Sequence, residues 1–159
     1  MQYRNFLIRS WQPHDRTAVI QLITQVLSEY GFTCEPEGAD IDVYRVEDCY
    51  FQVGGEFWVV EQGNRLVGTA AYYPSHRQPN SVELRKMYLL PEARGWGLGK
   101  FLLQMLEKTI WQRGFDQIWL ETASSLQQAV KLYESQDYQP TIGVETQRCD
   151  RVYWKRRPS

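Results

Sequence analysis

Three glycines at alternate positions, Gly95, Gly97 and Gly99, separate a strand-like run, Val82 to Leu90, from an amphipathic stretch. That stretch carries Leu98, Phe101, Leu102, Met105, Leu106 and Ile110 on one helical face. Glycines lack Cβ, so the chain can turn tightly here and let a ligand approach its backbone. The free N–H groups and positive dipole end of the helix that follows make an anion site. Arg94 and Lys100 add positive charge on either side. The chemistry this suits is a phosphate or pyrophosphate, against the plainer alternative of a glycine-rich helix entry with no ligand. Two common phosphate loops are excluded. Gly95 to Gly99 leaves three intervening residues where a P-loop has four, and Phe101 stands where its hydroxyl residue belongs. The spacing is also not the G-x-G-x-x-G of dinucleotide-binding folds.

The elements around this turn alternate in type. Asn5 to Arg9 reads as a strand. Pro13-His14-Asp15 opens a helix with Ala18, Val19, Leu22, Ile23, Val26, Leu27 and Tyr30 on one face, and Gly31 stops it. Residues 32–55 read as an acidic loop with a short helix around Ile41 to Asp48. Phe57 to Val60 and Leu66 to Tyr72 flank Gly63-Asn64, a hairpin signal. Ile118 to Leu120 is a further strand, Ser124 or Ser125 can cap a helix bearing Ala129, Val130, Leu132 and Tyr133, and residues 138–144 and 149–155 close the chain as strands. Hairpins and crossing helices together predict an α/β fold with a mixed, mostly antiparallel central sheet and helices on both faces.

Length and composition narrow the class. A chain of 159 residues, 43% hydrophobic and 23% charged, fits one globular domain over residues 1–159. No apolar run approaches the ~20 residues of a membrane span. The first nine residues lack a leader's apolar core, so a cytoplasmic protein is expected. Cys34, Cys49 and Cys149 are odd in number and far apart, and with only His14 and His76 no metal constellation is predicted. The net charge of −1 argues against a nucleic-acid or membrane partner, yet it conceals an asymmetry. Residues 1–61 hold ten acidic and four basic side chains, a balance of −6, whereas residues 62–159 hold 9 and 14, a balance of +5.

The turn Arg94-Gly95-Trp96-Gly97-Leu98-Gly99, with Leu89-Leu90-Pro91 before it, resembles the signature of the GNAT superfamily of acyl-CoA-dependent N-acetyltransferases. Ala129-Val130-Lys131-Leu132-Tyr133-Glu134, and then Tyr138, is similar to that family's second conserved stretch. Leu126 stands where the family often has Asn, with Gln127 or Ser125 nearby, and Asp137 where it usually has Gly. The resemblance implies a pair of splayed central strands that admits acetyl-CoA as acyl donor, with no metal. Met87, Tyr88 and Leu89 would pair with the pantetheine arm, and Arg94, Gly95, Trp96, Gly97, Leu98, Gly99 and Lys100 would hold the pyrophosphate.

Acyl transfer from a thioester to an amine requires three events. The ammonium loses a proton, the carbonyl is polarised, and the departing thiolate is protonated. The backbone N–H of Leu89 can serve the carbonyl. Tyr133 stands where the family's general-acid tyrosine stands, the alternative being a packed core tyrosine. Glu83, on the pantetheine strand, and Glu121, at the end of the next, compete as base with solvent-relayed deprotonation and with purely structural roles beside Arg85 or Lys86. The acids Glu35, Glu37, Asp40, Asp42, Glu47 and Asp48 form either a solvated loop or a negative rim that attracts a cationic amine. Tyr30, Phe32, Tyr44, Tyr50, Phe51, Tyr72 and Tyr73 can line a pocket or fill the core. The expected partners are acetyl-CoA and a small or amino-acid-like amine, with a protein acetyltransferase or a non-catalytic acyl-CoA-binding domain as rivals. Aromatics on edge strands would permit a homodimer.

Overall fold

From Val67 to Tyr72 every side chain is buried, which a strand achieves only when both faces of its sheet are covered. The computed structural model, which describes residues 1–159, builds this strand into an eight-stranded sheet. In chain order the elements are β1 (Gln2–Tyr3), β2 (Phe6–Ser10), α1 (Arg16–Ser28), α2 (Ile41–Tyr44), β3 (Glu56–Gln62), β4 (Arg65–Pro74) and β5 (Ser81–Leu89). There follow α3 (Leu98–Gln112), β6 (Gln117–Thr122), α4 (Gln127–Ser135), β7 (Gln139–Thr141) and β8 (Arg151–Arg156). The strand order is β1-β2-β3-β4-β5-β6-β8-β7. Every neighbouring pair is antiparallel except β5 and β6, which α3 joins as a crossover. Buried side chains from the strands and from α1, α3 and α4 form one continuous apolar cluster. No helix is long and apolar enough to cross a membrane.

The mixed sheet is as the sequence pattern requires, with three local differences. The two-residue β1 is too short to show any periodicity. The expected strand over 138–144 ends at Thr141: Pro140 lacks a donor N–H, which suits an edge strand, and Ile142 lies 88% exposed. Ser124 and Ser125 do not cap α4, whose N-cap is Leu126. The Ser124 N–H and hydroxyl instead donate to the Asp150 carboxylate, fastening the start of that loop to the strand beyond.

Asp137 follows α4 with φ +68°, a left-handed conformation that glycine adopts without strain. No hydrogen bond from its side chain compensates the crowding. Asp137→Gly should therefore raise stability by about 0.5–1 kcal/mol. Chemical denaturation of the two proteins side by side checks this, and a loss of stability would refute it.

Candidate active site

β5 and β6 pair only where Ser81, Val82 and Glu83 lie beside Gln117, Ile118 and Trp119. Beyond Glu83 they diverge, and the cause is a bulge in β5. Tyr88 pairs with Thr69 and Arg85 with Ala71, which leaves Lys86 and Met87 both opposite Ala70. Lys86 takes φ +52°, and the Thr69 hydroxyl donates to its carbonyl at 2.6 Å. A bulge bends its strand and re-aims the side chains that follow. The gap is a cavity of about 100 Å³ between β5, β6 and α4, with Glu83, Arg85, Tyr88, Glu121, Tyr133 and Cys149 on its walls. Met87 lines it as well. Leu90 donates its N–H to Val67 on β4, so by strand alternation the Leu89 N–H faces the open edge.

The glycine turn lies just beyond Leu89. Gly95 and Gly97 have φ of +83° and +81°, and Gly97 is the residue before α3. The N–H groups of Leu98, Gly99 and Lys100 are therefore the unpaired first turn of that helix. Lys100 is exposed and has no ion-pair partner, and Trp96 is exposed beside it. Arg94 differs from expectation, because it is not a free cation. Its guanidinium grips both Glu29 oxygens, at 2.8 and 2.9 Å, and the Leu89 carbonyl, at 3.0 and 2.8 Å. It braces the turn against α1 and the end of β5. A second brace escaped the sequence reading: the Tyr3 hydroxyl donates to the Trp96 carbonyl at 2.8 Å, and its ring stacks on Phe101 at 4.4 Å.

The two glutamates differ in their surroundings. Glu121 accepts from Arg77 and from the N–H groups of Glu145 and Thr146, so its oxygens are occupied in holding the β7–β8 loop. Glu83 is buried, accepts from the Tyr73 hydroxyl at 3.2 Å, and has Arg77 at 3.5 Å. Burial raises its carboxyl above the usual range, against the opposing pull of Arg85 and Arg77. The cation within ion-pair distance of Glu83 is thus Arg77, rather than its sequence neighbours Arg85 and Lys86. Tyr133 is buried on α4, yet its hydroxyl has no protein partner and borders the cavity. Burial, with Tyr88 and Cys149 adding to it, lifts its phenol well above the ordinary value. Burial likewise pushes the Cys149 thiol up to about 11.

The family model described as "Acetyltransferase (GNAT) family" matches residues 20–138, most of the chain and all of this cleft except its β7–β8 wall. The chain belongs to the GNAT acetyltransferase family. An uncharacterised Escherichia coli K12 N-acetyltransferase, YjgM, is 37% identical over 123 residues, which are 76% of this chain and 74% of that one. A GNAT-family acetyltransferase structure from Staphylococcus aureus Mu50 superposes with a TM-score of 0.87 at 20% identity, covering 95% and 98% of the two chains. Spermidine N-acetyltransferase from Vibrio cholerae, solved with CoA and spermine, gives 0.70 at 16% identity over 97% and 96%. Rodent N-acetyltransferases also match, and this chain spans 41–58% of their length. By family, the chain is an N-acetyltransferase.

The acidic loop of this GNAT domain is not the negative rim that its composition allows. Asp40 is fully buried between Lys86, at 2.6 Å, and Arg148, at 2.6 and 2.7 Å. Asp42 accepts from the Tyr50 hydroxyl and lies 3.3 Å from Lys86. Glu35 pairs with Arg148, Glu47 with Arg16 and Asp48 with Arg45. Only Glu37 of the six remains unpaired and exposed. Asp40, Asp42 and Glu35 compensate cations of the β5 bulge and the β7–β8 loop, and Glu47 and Asp48 pair with Arg16 and Arg45, which leaves little negative charge for a ligand. Of the aromatics, Phe32 lines the cavity, whereas Tyr50 and Tyr72 belong to the core.

Proposed function

We propose that this N-acetyltransferase moves the acetyl group of acetyl-CoA directly to the primary amine of a small, amino-acid-like acceptor. The observation that carries the proposal is that an unpartnered Tyr133 hydroxyl and a buried Glu83 share one cavity at the open end of β5. The CoA held by the Vibrio cholerae relative supports the donor. The pantetheine arm would lie along Met87, Tyr88 and Leu89. Its pyrophosphate would meet the turn from Arg94 to Lys100, with the first N–H groups of α3 as donors. Arg94 would contribute there by fixing the turn, and Lys100 by its charge.

The chain's own groups then divide the chemistry. Glu83, through a water or directly, takes the proton of the attacking ammonium. The Leu89 N–H polarises the thioester carbonyl. Tyr133 gives its proton to the departing thiolate. Direct transfer is favoured over a covalent route, because a thiol at about 11 in Cys149 is almost wholly protonated at neutral pH. The small acceptor is favoured by the cavity's size and by the loop before α2, which Asp40 locks over β5. Unpaired Cys34, Cys49 and Cys149 suit a reducing, cytoplasmic setting.

Thiol release from acetyl-CoA, measured against pooled amines, amino acids and short peptides, tests the activity. No release with any acceptor, together with no CoA binding by calorimetry, would defeat the proposal. Glu83→Gln should lower kcat/KM about 10²-fold. A base works deprotonated, so wild-type activity should fall as pH drops through the raised Glu83 value, and this acid limb should vanish in the variant. An unchanged pH profile would remove Glu83 from the mechanism.

A further inference from the structure

Arg85 lies on β5 two residues beyond Glu83, on the same face of the strand and in the wall of the same cavity. A guanidinium offers five donors in a fixed fork. Within the protein this one makes a single hydrogen bond, from Nη2 to the Ala39 carbonyl at 3.2 Å. Its Cζ stands 5.6 Å from the centre of the Tyr73 ring, and it forms no salt bridge. The neighbouring cations are differently placed. Lys86 holds Asp40 and Asp42, and Arg148 takes both oxygens of Asp40. Asp40 is therefore fully engaged and Asp42 lies against Lys86, and Arg85 is left half-buried with most of its fork open.

Glu83 and Asp42 attract this guanidinium only from beyond ion-pair distance, so a ligand anion in direct contact with its fork would gain charge-assisted hydrogen bonds that the protein does not supply. The group that matches an open fork is a carboxylate, bound through two parallel hydrogen bonds. The other end of the cavity has the opposite sign. There Glu83, Glu121 and Glu145 lie within 4.8 Å of one another around the single cation Arg77. An acceptor suited to both ends places an ammonium beside Glu83 and an anion beside Arg85, two strand positions away.

We infer that the acceptor is an α-amino acid, with Arg85 binding its carboxylate while Glu83 faces its amino group. This rests on the acyl-transfer function proposed above and narrows it. Polyamines and lysine side chains, which carry no adjacent anion, would set a bare cation against Arg85. The amino terminus of a peptide has an amide in place of the carboxylate and leaves the fork unfilled.

The test is thiol release from acetyl-CoA with matched pairs of acceptors, each free L-amino acid against its own carboxamide. Charge-assisted hydrogen bonds of this kind predict a kcat/KM about 10- to 100-fold higher for the free acids that are substrates. Arg85→Gln should bring that ratio to within about threefold of one, and Arg85→Lys, which keeps the charge but loses the fork, should fall between. Arg45→Gln alters an exposed ion pair outside the cleft and should keep the wild-type ratio. Turnover of carboxamides, simple amines or peptides as fast as free acids would overturn the inference and leave the acyl-transfer function standing. The same holds if Arg85→Gln keeps the full ratio. Absence of both thiol release and CoA binding would instead overturn the acyl-transfer function, and the inference with it.

Discussion

Tyr133→Phe should lower kcat by about 10²- to 10⁴-fold, the usual worth of a well-placed general acid. The loss should fall on kcat, with the KM for acetyl-CoA changed less than about threefold on the same argument. The hydroxyl makes no hydrogen bond inside the protein, so its removal leaves no buried partner unsatisfied. The ring's edge contact with Tyr138, at 5.8 Å, survives in phenylalanine. The variant should therefore melt with the wild type, which separates chemistry from folding. Burial holds the phenol protonated throughout the working pH range, as a proton donor requires. Cys149 shares the cavity, but its sulfur–hydrogen bond is a weak donor. Steady-state thiol release gives the answer, and a variant with full kcat would strip Tyr133 of its role.

The parts of this site that depend on local pattern could be read from the sequence. Alternating glycines before an amphipathic helix describe a tight turn into a helix N-terminus without reference to any distant residue, and Tyr133 sits in a helix whose face is set by its neighbours. The parts that depend on remote partners could not be read. Lys86 stands 46 residues from Asp40, and Arg148 stands 108 residues from it, so nothing local marks Asp40 as the counter-charge to both. For the same reason the sequence left the acidic loop open between a solvated segment and a ligand-facing rim. Composition counts charges but cannot tell a compensated carboxylate from a free one. Nor does anything local mark the partner of Arg94, Glu29, which lies just beyond α1 and 65 residues away. The bulge at Lys86 has no sequence signal, because a lysine at positive φ is held there by its surroundings.

Asp40→Asn should destabilise the protein by about 3–5 kcal/mol, the cost of breaking a buried ion pair from one side. For a domain of this length that corresponds to a fall in Tm of about 6–20 °C. Asparagine keeps the shape of the side chain but leaves Lys86 with Asp42 alone, at 3.3 Å, and Arg148 with Glu35 alone, at 3.2 Å. The dependence on pH follows from the same cluster. Burial alone would raise the Asp40 carboxyl, but hydrogen bonds from Arg148, then the charge and hydrogen bond of Lys86, hold it well below the usual carboxylate range. A carboxyl depressed in the folded state contributes stability above its unfolded value of about 3.9, and that contribution fades as pH falls below it. The gap between wild type and Asp40→Asn should thus be widest near neutrality and narrow towards pH 3. Replacing Lys86 by Met in the Asp40→Asn background should restore none of the loss, because it strips the buried Asp42 of its nearest cation. Urea denaturation at pH 7 and pH 3 measures both effects. A single variant as stable as wild type at pH 7, or a gap that widens on acidification, would show that Asp40 does not hold this loop against β5.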